Sequence, residues 1–463
     1  MPAPAVFVGL PLLLAPLLYW LRRWPRVAVG VSAAVSLLLA ALALGLPLDM
    51  PLAGGVMIRS ALTVLGRAFV VDSADRLGLA FIFAQAAFLF FATGLGRSGR
   101  FYQPAGMAAL GLLAAALFVR PFLFAALFLE LAAALAVFML GDEARPVTRG
   151  ALRFLVFMTL GMPFILLTGW LLEASAASPA DTSFLVKATL LLAVGFAVLL
   201  AVVPFHSWLP VVAEHAPPLA AAFVFTAMQF ATVFLLLDFF NAYAWLGQNP
   251  TVYRALTLAG GGMALVGAVF AFGQSNFGRS MGYAMMVDIG AVLMALGLGT
   301  RAGTEAALAT LAVRALALPL WGVGLARLRR AAGSDAFDAL RGYGRRYPLA
   351  AAAIVLGMLS LVGFPTLAGF PARLALLRLL AQIHPSAAIL LLLGMVSVSL
   401  VCARGMNALL APAAGFAEPP QEGRAAVVLL SVGLVLLFVL GAFPQWLLPA
   451  VAKSVSAFTG LGR

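Results

Sequence analysis

The feature that most limits what this chain can fold into is the length of its apolar runs. Between charged or Pro/Gly-rich joints they recur at roughly 20 residues, the length a helix needs to cross a bilayer, and little sequence is left between them. Backbone in lipid must satisfy its own hydrogen bonds, so such runs read as transmembrane helices. Composition agrees: 64% of the 463 residues are hydrophobic and only 10% charged, with a mean hydropathy of +1.09, whereas a soluble domain carries about 25% charged residues. A soluble enzyme is excluded. No stretch suits a separate soluble domain either, so no catalytic site is expected in this chain and any such chemistry would belong to a partner.

The runs fall at residues 4–20, 28–46, 76–95, 103–119, 121–141, 151–172, 184–203, 217–240, 253–273, 281–299, 304–325, 348–380, 386–411 and 426–449, which makes about fourteen spans of an all-α polytopic membrane protein. Residues 50–72 are less uniformly apolar and are expected to form a long loop with room for an interfacial helix. The first run resembles a signal peptide, yet it lacks a basic start and a small-residue cleavage site, and Arg22, Arg23 and Arg26 follow it. It is read as the first span. Lys and Arg gather on the cytoplasmic side of membrane proteins, and 16 of the 29 lie at joints after odd-numbered spans. That asymmetry places both termini outside the cytoplasm, in what is expected to be a bacterial inner membrane. It also explains the net charge of +13 without nucleic acid. Cys402 stands alone and three histidines build no metal site across so long a chain, so no cofactor is expected.

A charge at the bilayer centre costs about 2.5–3.5 kcal/mol on insertion scales, which makes intramembrane ionisable groups functional candidates. Glu130 sits in the middle of an otherwise uncharged run, and Asp288 occupies the equivalent place in residues 281–299. Arg314 lies within the eleventh span, Arg373 follows an interruption in the twelfth, and His206 belongs to Pro204-Phe-His-Ser-Trp-Leu-Pro210. The alternative for the acids is a purely structural ion pair, and either arginine could simply neutralise one of them.

Two segments interrupt helices. One is the stretch from Pro204 to Pro210; the other is Gly363-Phe-Pro-Thr-Leu-Ala-Gly-Phe-Pro371, which includes Pro365 and Gly369. Proline removes a backbone donor and glycine permits a bend, so backbone polar groups are freed at membrane depth, where they survive only beside protein or water. The pattern occurs twice: Glu130 and Asp288 are 158 residues apart, Pro204 and Pro365 are 161 apart. Two five-helix units would explain this, and because five is odd they would lie inverted across the membrane, as in many ion transporters. The expected divisions are 1–102 (helices one to three), 103–240 (first unit, helices four to eight), 241–411 (second unit, helices nine to thirteen) and 412–463 (helix fourteen).

Pro204-Phe-His-Ser-Trp-Leu-Pro210, followed by Glu214-His-Ala-Pro-Pro218, resembles a motif of the antiporter-like membrane subunits of respiratory complex I, Mrp-type sodium/proton antiporters and group 4 membrane-bound hydrogenases. Phe128-Leu-Glu-Leu131 looks like that family's helix-five glutamate segment, and Arg341-Gly-Tyr-Gly with Gly363-Phe-Pro-Thr-Leu-Ala-Gly-Phe370 resembles its helix-twelve region. The likeness covers about residues 75–411. It implies that Glu130 is the family glutamate, that the helix-seven lysine has become Leu199, and that the helix-eight lysine falls at about Gln229. Asp288 then stands at the helix-ten polar position, Thr310, Arg314 and Leu318 replace the histidines and lysine of helix eleven, and Arg373 replaces the helix-twelve lysine. Lysine can shed its proton when buried, whereas arginine stays protonated.

These features predict an antiporter-like subunit of a larger proton- or sodium-linked complex, with other membrane subunits and a soluble redox or catalytic arm as partners. Ion conduction would be impaired, rerouted or lost, and the ion-path candidates are Glu130, His206, Gln229, Asp288, Arg314 and Arg373. Two alternatives remain at this level: a membrane anchor for a soluble catalytic partner in a bicarbonate- or CO2-accumulating system, and a stand-alone secondary transporter.

Overall fold

The computed structural model describes residues 2–50, 57–94, 99–141, 148–178, 181–412 and 422–458. Among these, ten helices are long and apolar enough to cross a membrane and four more are shorter and apolar. In chain order they begin with α1 (Ala5–Leu21), α2 (Pro25–Gly45), α3 (Ser73–Thr93), α4 (Tyr102–Phe118), α5 (Phe122–Met139), α6 (Arg149–Ala177) and α7 (Ser183–Leu199). A short amphipathic piece, α8 (Trp208–His215), precedes α9 (Pro218–Ala242). Then come α10 (Pro250–Phe272), α11 (Phe277–Gly297), α12 (Arg301–Ala332), α13 (Pro348–Val362), α14 (Gly369–Ile383), α15 (Pro385–Leu410), α16 (Arg424–Ala442) and the terminal α17 (Leu448–Ser456). Helices therefore occupy every apolar run, and the chain is mostly helical.

Local chemistry sets the starts. Asp72 and Asp75 form a reciprocal capping box at α3, Thr148 accepts from the Ala151 amide at α6, and Asn276 and Thr300 cap α11 and α12 in the same way. Proline in the first turn, where a missing donor costs nothing, opens α2, α9, α10, α13 and α15.

Residues 57–72 depart from expectation. Instead of a loop with an interfacial helix, β1 (Ala61–Val64) and β2 (Arg67–Val70) form an antiparallel hairpin, and Val119–Arg120 adds a third short strand. Leu65 and Gly66 both take positive φ at the turn, the geometry that matches strand twist in a two-residue hairpin. Alternation was too short, and the third strand too far away in sequence, for the pattern to be read. Residues 51–56 of the expected loop lie outside the described residues.

Burial divides the bundle. The most apolar 18-residue window is fully buried in α9, 94% buried in α11 and 83% in α12, but only 39% in α5 and 28% in α6. α4, α9, α11 and α12 thus lie in the interior of the bundle, while α5 and α6 sit at its periphery.

Candidate functional site

Asp288 projects from the enclosed face of α11. Its Oδ2 accepts from Nε of Arg314 on α12 and its Oδ1 from Nη2 of Arg373 on α14, and all three side chains are at most 3% exposed. Three residues spread over 85 positions thus form one ion cluster. Arg373 reaches it because of the interrupted helix. α13 ends at Val362, the chain turns through Gly363 and Thr366, both at positive φ, and α14 begins at Gly369. The break leaves the Leu361 carbonyl without a helical partner, and Arg373 donates to it from Nε and Nη2, at 3.3 and 3.1 Å. Glycine is required twice here. A Cβ on Gly369 would fall on the Ser360 carbonyl oxygen, and one on Gly363 would run into the Arg373 side chain. Pro365 lies in the exposed tip of this turn.

Arg314 is held one turn beyond Thr310 on α12, opposite the end of α13. Close packing of Gly357 against Ala317 and Trp321 fixes the register of these two helices, and one turn further along brings Ser360 level with Arg314. Both carboxylate oxygens of Asp288 accept from guanidinium donors.

Glu130 has a different setting. It is half-buried on peripheral α5, where its Oε1 accepts from Thr159 Oγ1 of α6 at 2.5 Å while Oε2 is enclosed without a hydrogen-bond partner. Leu199, where the resemblance locates the family lysine, packs on the other face of the same helix: a Cβ on Gly161 would approach its Cδ2 to 2.8 Å. Thr159 and Gly161 are two residues apart and so point to opposite sides of α6. That helix therefore stands between Glu130 and position 199.

Gln229 follows a π-helical turn, Val224–Met228, inside α9. Its amide donates to the Leu199 carbonyl at 3.2 Å, satisfying an acceptor freed where α7 stops. His206 sits on a single 3-10 turn between α7 and α8, half-buried, with Nδ1 enclosed and unbonded. Pro204 precedes that turn and Pro210 lies in the first turn of α8. The following Glu214 pairs with Arg279 of α11 at 2.7 Å, and Arg329 of α12 donates to the carbonyls of Ala216 and Glu214 at 2.7 and 3.1 Å. This motif fastens α8 to α11 and α12. The structure brings Asp288, Arg314 and Arg373 together; among the described residues it does not join Glu130, His206 or Gln229 to them by a hydrogen bond or ion pair.

One group escaped the sequence reading. Asp75, fully buried at the start of α3, and Asp72 both lie 3.4 Å from Arg120 of the third strand, and buried Asp238 of α9 faces the same place, one turn beyond the contact of Gly78 with Phe234. Asp238 is far from Asp72 and Asp75 in sequence, and Arg120 reaches those two through the third strand.

The family model described as NADH:quinone oxidoreductase/Mrp antiporter, TM, matches residues 185–400, a narrower stretch than the expected 75–411. NADH-quinone oxidoreductase subunit N of Thioalkalivibrio sulfidiphilus is 31% identical over 57% of this chain and 55% of its own length, and that of Rhodopseudomonas palustris is 33% identical over 58% of each. The chain thus spans little more than half the length of these curated relatives. In fold it is similar to a chain of the membrane-bound sulfane sulfur reductase, an archaeal respiratory membrane complex (TM-score 0.83, 17% identity, covering 98% of this chain and 97% of that one). It is also similar to a chain of the Mrp complex from Dietzia sp. DQ12-45-1b (TM-score 0.77, 19% identity, 98% and 96%). Motif, family match over residues 185–400 and fold agree, and the chain is similar to the antiporter-like membrane subunits found in complex I and Mrp-type assemblies.

Proposed function

We propose that this chain serves in a multi-subunit complex as an antiporter-like subunit whose own ion path is interrupted. The single observation that supports this best is the bracketing of Asp288 by Arg314 and Arg373, which puts permanent charges where a proton relay needs exchangeable ones. Leu199 strengthens the reading in the first half, since it offers nothing ionisable across α6 from Glu130. Fourteen spans, two inverted five-helix units and both termini on the outer side complete the proposal, resting on the repeated acid-and-break pattern and on the arginine distribution. Its partners would be further membrane subunits and a soluble redox arm, and its contribution would be structural or electrostatic continuity between them.

The test is proton uptake by the purified complex in sealed vesicles, normalised to its redox turnover. Glu130→Gln, which leaves the arginine cluster intact, is expected to change the protons moved per turnover by less than about a tenth. Asp288→Asn, wherever the assembled complex is recovered, should do the same. A clear loss of proton stoichiometry at unchanged turnover in either variant would show that the path conducts.

A further inference from the structure

The Asp288 cluster carries two guanidinium charges and one carboxylate, leaving a net charge of +1 enclosed at membrane depth. No counter-charge on a neighbouring subunit can reach it, because the three side chains are no more than 3% exposed. The hydrogen-bond inventory has the same sign. Arg314 Nη1 and Nη2, Arg373 Nη1, Thr310 Oγ1 and Ser360 Oγ are all buried and unbonded. Every nitrogen in that set is a donor only, and each hydroxyl has a proton to give. Each Asp288 oxygen already accepts from one guanidinium, and the Leu361 carbonyl accepts twice from Arg373. Water could meet some of these donors, but it cannot neutralise the charge, and an uncompensated buried charge is strongly unfavourable.

We propose that Arg314, Arg373, Ser360 and Thr310 bind one small monovalent anion, of the halide class, which completes the charge balance of the cluster. A halide suits an all-donor site because it accepts from several directions and needs no donor of its own. Size limits the choice, since the cluster is enclosed by α11, α12, α13 and α14, while the turn from Phe364 to Thr366 between α13 and α14 is exposed. The inference rests on the charge count and on the buried donors without partners, so it stands whether or not protons cross this subunit.

The experiment measures protease resistance of this chain within the purified complex as sodium gluconate is replaced by sodium chloride or bromide at constant ionic strength. The wild type is expected to gain resistance saturably with either halide. Ser360→Ala should raise the half-saturating concentration about tenfold, the scale of one hydrogen bond to a charged group. Arg373→Gln, which leaves a neutral Asp288–Arg314 pair, should abolish the halide response, whereas Asp288→Asn, with two uncompensated guanidiniums, should shift half-saturation to lower halide. Bromide located by anomalous scattering between Arg314, Arg373 and Ser360 would support the site even if the charge variants fail to assemble. A wild type indifferent to halide overturns it, as does bromide density found elsewhere only, or Arg373→Gln and Asp288→Asn responding in the same direction.

Discussion

Glu130 and Asp288 each stand in the middle of an apolar run, yet their surroundings differ in almost every respect. Glu130 sits on a helix buried along little more than a third of its length, with one threonine for a partner; Asp288 sits on a helix enclosed almost throughout, with two arginines. The difference teaches that a repeated acid does not carry a repeated role. What an acid does at membrane depth depends on which charges its neighbours bring, and here the neighbours of Asp288 arrive from α12 and from beyond a helix break, while α6 keeps Glu130 away from position 199.

Four measurements would break or sharpen this contrast. The largest effect is expected from Asp288→Ala, which strands two buried guanidiniums and should destabilise the chain by about 3–5 kcal/mol, read as the denaturant midpoint of its proteolysis in the complex. Comparable loss from Glu130→Ala would erase the contrast. Thr159→Val removes the one hydrogen bond to Glu130 and should cost about 1 kcal/mol in the same assay. A coupling measurement comes next: in a cycle combining Glu130→Gln with Leu199→Lys, the two changes should add to within about 0.5 kcal/mol because α6 separates them, and a larger interaction energy would show that the new amine reaches the glutamate. Asp49, which lies outside both halves, should give the smallest effect. The Ser60 hydroxyl, and after it the Ser60 amide, which donates to Oδ1 at 3.0 Å, hold its pKa below the ordinary carboxylate value. A depressed acid contributes its stabilisation above the unfolded pKa, about 3.9, and loses it as the pH falls through the lower folded value. Hydrogen exchange at the Ser60 amide should therefore lose protection in acid beyond the intrinsic rate change, and Asp49→Asn should remove that extra pH dependence.

Much of the fold was legible because lipid imposes one rule on every segment. Apolar runs near 20 residues must become helices, and Gly363, Pro365 and Gly369 inside such a run must interrupt one, as they do. Residues 57–72 were not legible, since the hairpin depends on pairing with Val119–Arg120 some 50 positions away. The same holds for the Asp72, Asp75, Arg120 and Asp238 group, whose members come from distant parts of the sequence.

Sequence by itself determined that this chain lives in a membrane, where its helices break, and which rare ionisable residues must be accounted for, because each of those follows from the cost of exposing polar groups to hydrocarbon. Tertiary structure alone decided their company: that Asp288 is shared by two arginines, that Gln229 serves a backbone carbonyl, and that a helix stands between Glu130 and Leu199. The reason is range. Transfer cost is a property of a residue and can be summed along the chain, whereas charge pairing depends on separation in space, which only the packing of distant helices sets.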